Sequence, residues 1–330
     1  MCASLTMDAD MGEEAQETPG VGNTTRYITF VFLILASLGI ADRGEPATST
    51  TRAPLKPIAK DPYVGAIAVD AESGLVLFDD NADAVIYPAS TVKLMDLLVI
   101  LEKVECGELE FSDTVTVDAE AAGMGGTQVY LSKGERFTVD DLLYALMVES
   151  ANDAAVALAI HVAGSKAAFV QLMNKRAREL GMKSTKFVSP HGLPPAKGQT
   201  ADFSTAYDMS LLAREVLRHT ESLRYTGCRE KFFRAGEPPL VMHNHNHLLD
   251  RVEGCDGLKT GYFRAAGFSI VATALRGGRR IVAVVAGCSD LRTRDRTAKR
   301  LLMEFPVPTG SRSDQTIKPA RDAGGSHIKS

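Results

Sequence analysis

The sequence predicts an α/β protein of the α+β type: an antiparallel sheet of about five strands flanked by helices, with a helical block partly set apart. Strand-like runs open the folded region and return near its end, and helix-periodic segments fill the middle. The late strands are joined by turns too short for a crossover helix, which makes them antiparallel. At 45% hydrophobic and 24% charged, the 330 residues can bury a large core, and the composition excludes a disordered, collagenous or coiled-coil chain.

Residues 1–41 carry five acids (Asp8, Asp10, Glu13, Glu14, Glu17) and one base, Arg26. The run Tyr27 to Ala41 has about 14 apolar residues, short of the roughly 20 that span a bilayer, and ends in small residues. It is expected to be a secretory signal, so the domain expectation for 1–41 is an N-terminal extension and signal peptide; left uncleaved, the same run would be a membrane anchor. Residues 42–57, rich in Thr, Ala and Pro, are expected to be a flexible leader. The folded domain is expected to occupy 58–305, and the polar segment 306–330 a disordered tail with no apolar face for a membrane anchor.

Within the domain, Ala66 to Asp70 and Leu75 to Phe78 read as a hairpin around Glu72-Ser73-Gly74. Pro88 precedes the helix-periodic STVKLMDLLVILEKV, in a position that proline tolerates. Helices are expected at Val139 to Met147, Asp153 to Val162, Lys166 to Leu180 and Thr205 to Leu217. Leu258 to Phe263, Gly267 to Leu275 and Arg280 to Gly287 then read as a meander, and Asp290 to Glu304 as a last helix.

Charge narrows the function. Lysine plus arginine total 37 against 41 acids, a net −4, so there is no basic excess for a nucleic-acid groove. Of five cysteines, Cys106, Cys228, Cys255 and Cys288 lie beyond the expected signal; their spacing fits no zinc pattern, and their pairing stays open.

Three short motifs carry chemistry. Ser90-Thr91-Val92-Lys93 sets a hydroxyl and an amine three residues apart at a helix start, on one face. Serine is a poor nucleophile until a base takes its proton, and a buried lysine can serve. Ser150-Ala151-Asn152 falls at a helix junction, where the hydroxyl could relay a proton and the amide could hold a substrate carbonyl together with the lysine. Lys259-Thr260-Gly261 lies on a strand, offering a cation and hydroxyl for a carboxylate beside a glycine that admits close approach. Alone, each has a plainer structural reading: a chance spacing, a helix cap, a polar strand edge.

Together and in this order, the motifs resemble the serine D-alanyl-D-alanine carboxypeptidases, the low-molecular-mass penicillin-binding proteins of peptidase family S11, over about residues 60 to 290. TQVYLSKGERFTVDDLLYALMVESANDAAVALA, FVSPHGLPPAKGQTADFSTAYDMSLLAR and DGLKTGYFRAAGFSIVA are similar to the family's wording around its motifs. The resemblance implies a β-lactamase/transpeptidase-like fold. It implies Ser90 as nucleophile, Lys93 as base and Ser150 as proton relay. It makes Asn152, Lys259, Thr260, Gly261 and Tyr262 substrate-binding, with the backbone N–H groups of Ser90 and Tyr262 as oxyanion hole. The implied substrate is a peptidoglycan stem peptide, β-lactams are the expected inhibitors, no metal or organic cofactor is expected, and the implied place is the periplasm or cell envelope. Tyr262 stands where a histidine is common and Ala151 where a glycine is common.

The rivals are an endopeptidase on D-alanyl cross-links, a class A-like β-lactamase, a metal-binding module on His243, His245 and His247, and a silent envelope scaffold. The β-lactamase would need a glutamate four residues before an asparagine between residues 153 and 258, and this sequence has none there. The three histidines read better as a solvated loop near the cleft. His191, in SPHGLP, reads as structural rather than as a third member of a serine triad.

Overall fold

Residues 55–196, 198–234 and 239–305 are described by the computed structural model. The expected signal at 1–41, most of the leader and the tail beyond 305 lie outside the described residues.

Strand β1 (Gly65–Asp70) turns into β2 (Val76–Asp80) where Ser73 donates from its backbone N and its hydroxyl to Asp70 Oδ1. Short β3 (Val85–Ile86) leads into a 3-10 turn over Ala89–Val92, and this continues directly as α1 (Lys93–Glu105). The helical middle consists of α2 (Ala119–Ala122), α3 (Val139–Tyr144) ending in a π-turn over Ala145–Glu149, α4 (Asn152–Ala163), α5 (Lys166–Glu179), α6 (Ala206–Val216) and α7 (Ser222–Thr226). Between them run β4 (Thr114–Thr116) with β5 (Arg136–Thr138), β6 (Ser204–Thr205) paired to β3, and β7 (Glu230–Arg234) with β8 (Leu240–His243). The meander β9 (Cys255–Phe263), β10 (Gly267–Arg276), β11 (Arg279–Cys288) and the helix α8 (Leu291–Glu304) close the fold.

The five-stranded sheet has the order β2-β1-β11-β10-β9, antiparallel throughout, so β1 pairs with β11 and β9 is an edge. Side chains alternate between two cores. Ile67, Val69, Val271, Val282 and Val284 face the larger one with α1, α4 and α6. Ala66, Ala68, Ile270, Ala283 and Val285 face the smaller one with Ala298, Leu301 and Leu302 of α8. This is the expected architecture, and the named helices and meander strands agree with their expected bounds to within a few residues.

The expected single helix from Ser90 begins instead as the 3-10 turn, with both the Thr91 N–H and the Thr91 hydroxyl donating to Pro88 O. The strands β3 to β8 went unread because pieces of two to five residues are too short to display a period. Cys228, Cys255 and Cys288 are free thiols, so no disulfide joins any two of them. No single helix among the described residues is long and apolar enough to cross a membrane.

Candidate active site

Ser90 is presented by a tight piece of backbone. Ala89 before it takes φ +49°, a left-handed conformation that costs a non-glycine residue energy and marks positions held by their surroundings. Two glycines close on this turn: a Cβ on Gly192 would lie 2.1 Å from Ala89 O, and one on Gly261 would lie 2.6 Å from Pro88 O and 3.2 Å from Ser90 N. A side chain on Gly261 would push the third motif off the first, and one on Gly192 would push away the loop that carries the His191 carbonyl.

Lys93 opens α1 with its side chain fully buried. Its Nζ donates to Ser90 Oγ at 3.1 Å, Asn152 Oδ1 at 2.8 Å and the backbone carbonyl of His191 at 3.0 Å. Burial pulls the amine down to about 7, and the charges of Asp96, Asp153 and Asp202 oppose the shift. A neutral amine keeps two N–H groups, enough for Asn152 and His191, and turns its lone pair to the Ser90 hydroxyl. Serine, a base matched to neutral pH and two acceptors that orient the base therefore stand together.

The second motif sits where the π-turn ends. Ser150 has φ +66° and is 3% exposed, and its hydroxyl makes no hydrogen bond among the described residues. Asn152 begins α4 and ties Lys93 to the 124–131 loop: its backbone N–H donates to Thr127 O, and its Nδ2 donates to Gly125 O at 2.8 Å. Asp153 fixes the same loop by accepting from the backbone N–H of Val129 and of Leu131. The Asn152 amide, read in the sequence as a holder of substrate and lysine, thus grips the lysine with one end and the loop with the other.

The third motif lies on the edge strand β9, with Lys259 in register with Val271 and Thr260 with Ile270. By strand alternation Lys259 and Gly261 take the α1 side, and Thr260 and Tyr262 the other. Lys259 is 2% exposed, and its Nζ makes one long contact, 3.4 Å to Thr260 O. Burial first, then the nearby charges of Lys93 and Arg294, hold its pKa well below the usual lysine range, with Glu149 opposing. A buried amine with unused N–H donors suits an incoming anion, whose charge would favour the protonated form. Thr260 is buried, while Tyr262 is 54% exposed.

Sequence reasoning missed several parts of the site. His191 contributes its backbone carbonyl; its ring accepts from Leu193 N and is pushed down to about 3 by burial and by Lys93, so it stays neutral. Asp202 holds the loop that carries this carbonyl, accepting from Val188 N, Ser189 N and the Ser189 hydroxyl. A lone acid inside the apolar run KLMDLLVIL was the visible signal for Asp96. It is 1% exposed, and neither of its carboxyl oxygens has a hydrogen-bond partner.

The three spaced histidines do not converge. His243 ends β8 and pairs with Glu230, while His247 starts a 3-10 turn and pairs with Asp295; His243 and His245 are exposed, as the solvated reading expected, with a short loop only at 244–246. Among the described residues, the side chains close enough to share an ion are Glu102, Glu215 and His219, and Arg176 already bridges the two carboxylates, 2.6 Å from each.

Residues 57–290 match the D-alanyl-D-alanine carboxypeptidase family model. The chain is 37% identical over 238 residues to D-alanyl-D-alanine carboxypeptidase DacF of Bacillus subtilis, covering 72% of this chain and 60% of that protein. To DacC of Escherichia coli it is 36% identical over 262 residues, covering 77% and 62%. It thus spans about three fifths of the length of these curated relatives. Penicillin-binding protein 5 of Haemophilus influenzae superposes with a TM-score of 0.69 at 31% identity, covering 74% of this chain and 70% of that one. Penicillin-binding protein D2 of Listeria monocytogenes, in its ampicillin-bound form, gives 0.65 at 31% identity, covering 74% and 96%.

Proposed function

Because the chain belongs to the D-alanyl-D-alanine carboxypeptidase family, peptidase family S11, we propose that it removes the terminal D-alanine of peptidoglycan stem peptides through an acyl-enzyme on Ser90. The observation that carries this reading is the fully buried Lys93 amine, 3.1 Å from the Ser90 hydroxyl and pulled down to about 7.

Ser90 attacks the carbonyl of the penultimate residue while its proton passes to Lys93. The oxyanion takes hydrogen bonds from the backbone N–H groups of Ser90 and Tyr262, a role supported by the approach of Gly261 to Ser90. Lys93 then returns the proton, by way of the Ser150 hydroxyl, to the departing amine of D-alanine, and water hydrolyses the ester. Lys259 receives the terminal carboxylate; its unused donors support this. Asn152 keeps Lys93 aimed at Ser90 and lies beside the substrate amide. The covalent route supplies nucleophile, base and anion stabilisation from side chains and backbone alone. β-Lactams acylate the same hydroxyl as substrate mimics, in keeping with the ampicillin-bound relative.

Residues 58–305 form the catalytic domain in this reading, with an export signal within 1–41, a leader at 42–57 and a tail at 306–330, and the enzyme works in the cell envelope. Purified protein incubated with diacetyl-Lys-D-Ala-D-Ala and with fluorescent penicillin, beside Ser90→Ala, tests the proposal. Wild type is expected to release D-alanine and take a stable label, and the variant to do neither. Labelling that survives the substitution removes Ser90 from its role.

A further inference from the structure

Large aromatic rings standing in water are common, but a ring that is both exposed and held flat is not a random surface feature. Among the described residues the exposed aromatics are Tyr130, Phe203, Tyr207, Phe232 and Tyr262, and of these Tyr262 alone is stacked on another ring. Its partner is Phe268, directly opposite in the β9–β10 register, with centroids 4.2 Å apart and planes 24° from parallel. Phe268 is half-buried and packs on the smaller core, so the outer ring rests on a fixed support. The residue before Tyr262 is Gly261, which abuts Ser90, and β9 is the free edge of the sheet. Strand alternation turns Tyr262 to the face opposite Gly261, so the shelf flanks the groove along the free edge of the sheet rather than abutting the reactive hydroxyl. A preorganised ring with a phenolic hydroxyl at its tip suits a ligand that shows an apolar C–H face and hydroxyls around its rim, which is the chemistry of a pyranose.

We propose that the Tyr262–Phe268 stack is a platform for a sugar ring of the glycan that carries the stem peptide, and so favours glycan-linked substrates over free peptides. This rests on the reading of the site as a peptidoglycan carboxypeptidase. The platform acts in binding: it adds contact to the ground state and the transition state alike, so its loss appears in KM rather than kcat.

Two measurements test it. In the first, hydrolysis of a disaccharide-linked pentapeptide is compared with that of diacetyl-Lys-D-Ala-D-Ala in wild type, Tyr262→Phe, Tyr262→Ala and Phe268→Ala. The KM for the disaccharide substrate is expected to rise about five- to tenfold more than that for the peptide in Tyr262→Ala. The rise is smaller in Phe268→Ala and smaller still in Tyr262→Phe, which loses the phenolic hydroxyl but keeps the stacked face. Equal changes for both substrates, or none, overturn the platform. The second measurement needs no turnover and so separates failure of the platform from failure of the carboxypeptidase reading. Saturation-transfer NMR with the free N-acetylglucosaminyl–N-acetylmuramyl disaccharide should show the ring C–H protons touching wild type and no longer touching Tyr262→Ala. Absence of transfer to wild type refutes the proposal whether or not either peptide is cleaved.

Discussion

The two faces of the central sheet bury charge in opposite ways. On the α8 face, Arg294 is 3% exposed and donates from Nε and Nη2 to Asp295 Oδ1 at 2.9 and 2.6 Å, so each charge has its counter-charge in contact. On the α1 face, Lys93, Asp96 and Lys259 are equally buried, yet no ion pair joins any two of them. Lys93 is held by neutral oxygens, Lys259 by one long contact, and Asp96 by nothing. Isolated buried ions shift toward neutrality, whereas contact pairs stay charged. The sheet therefore keeps its structural charges on one side and groups poised to exchange protons on the other.

The largest test of that contrast removes the base. Lys93→Met fills the space without an amine, and acylation by fluorescent penicillin is expected to slow by about 10²- to 10⁴-fold, the usual weight of a general base. Stopped-flow labelling on protein whose folding is checked by circular dichroism measures it; a variant that labels at the wild-type rate would return Lys93 to a purely structural role.

On the opposite face the same kind of deletion should strike the fold. Asp295→Ala leaves the Arg294 guanidinium buried without its carboxylate, and loss of one partner from such a pair costs about 3–5 kcal/mol. Urea unfolding should record that loss, while acylation per folded molecule changes by less than about tenfold, well below the effect of Lys93→Met. If stability holds and acylation collapses instead, the division between the two faces is wrong.

The pH dependence follows from the amine. A lysine pulled down to about 7 is protonated, and useless as a base, below that pH. The rate constant for acylation should therefore be level above about pH 7 and fall about tenfold per unit below it. A limb near the ordinary lysine value would mean that Lys93 stays charged at neutral pH, and the contrast with Arg294 would disappear.

How much of this was legible in the sequence differs between the faces as well. The sheet and its flanking helices were readable because β10 and β11 are long apolar runs between tight turns, and α1, α5 and α6 keep a helical period. Ser90 and Lys93 were readable because three residues of helix start fix their relation. What the sequence does not spell is backbone: the His191 carbonyl that accepts from Lys93 lies 98 residues away, and a carbonyl has no residue identity. Nor does composition reveal that Ala89 and Ser150 take positive φ, since both residues ordinarily avoid it. Asp96 was visible as an interruption in an apolar run, but only its geometry shows that nothing pairs with it.

That unpaired acid supplies the smallest and finest test. Burial raises the Asp96 carboxyl well above the usual carboxylate range, with Lys93 opposing and Asp202 adding to the shift. Below about pH 4 the group is protonated in both the folded and the unfolded chain and contributes nothing to pH dependence. Above it the unfolded chain releases the proton and the folded one retains it, so the wild-type fold loses stability as pH rises, by about 1.4 kcal/mol per unit for this one proton. Asp96→Asn keeps the size and removes the titration. The variant should gain on wild type in urea titrations as pH rises above about 4, until the folded carboxyl itself titrates, and the gain should vanish near pH 4. A difference that stays flat across this range would mean that Asp96 is ionised in the fold, the α1 face then holding a charged acid as the α8 face does.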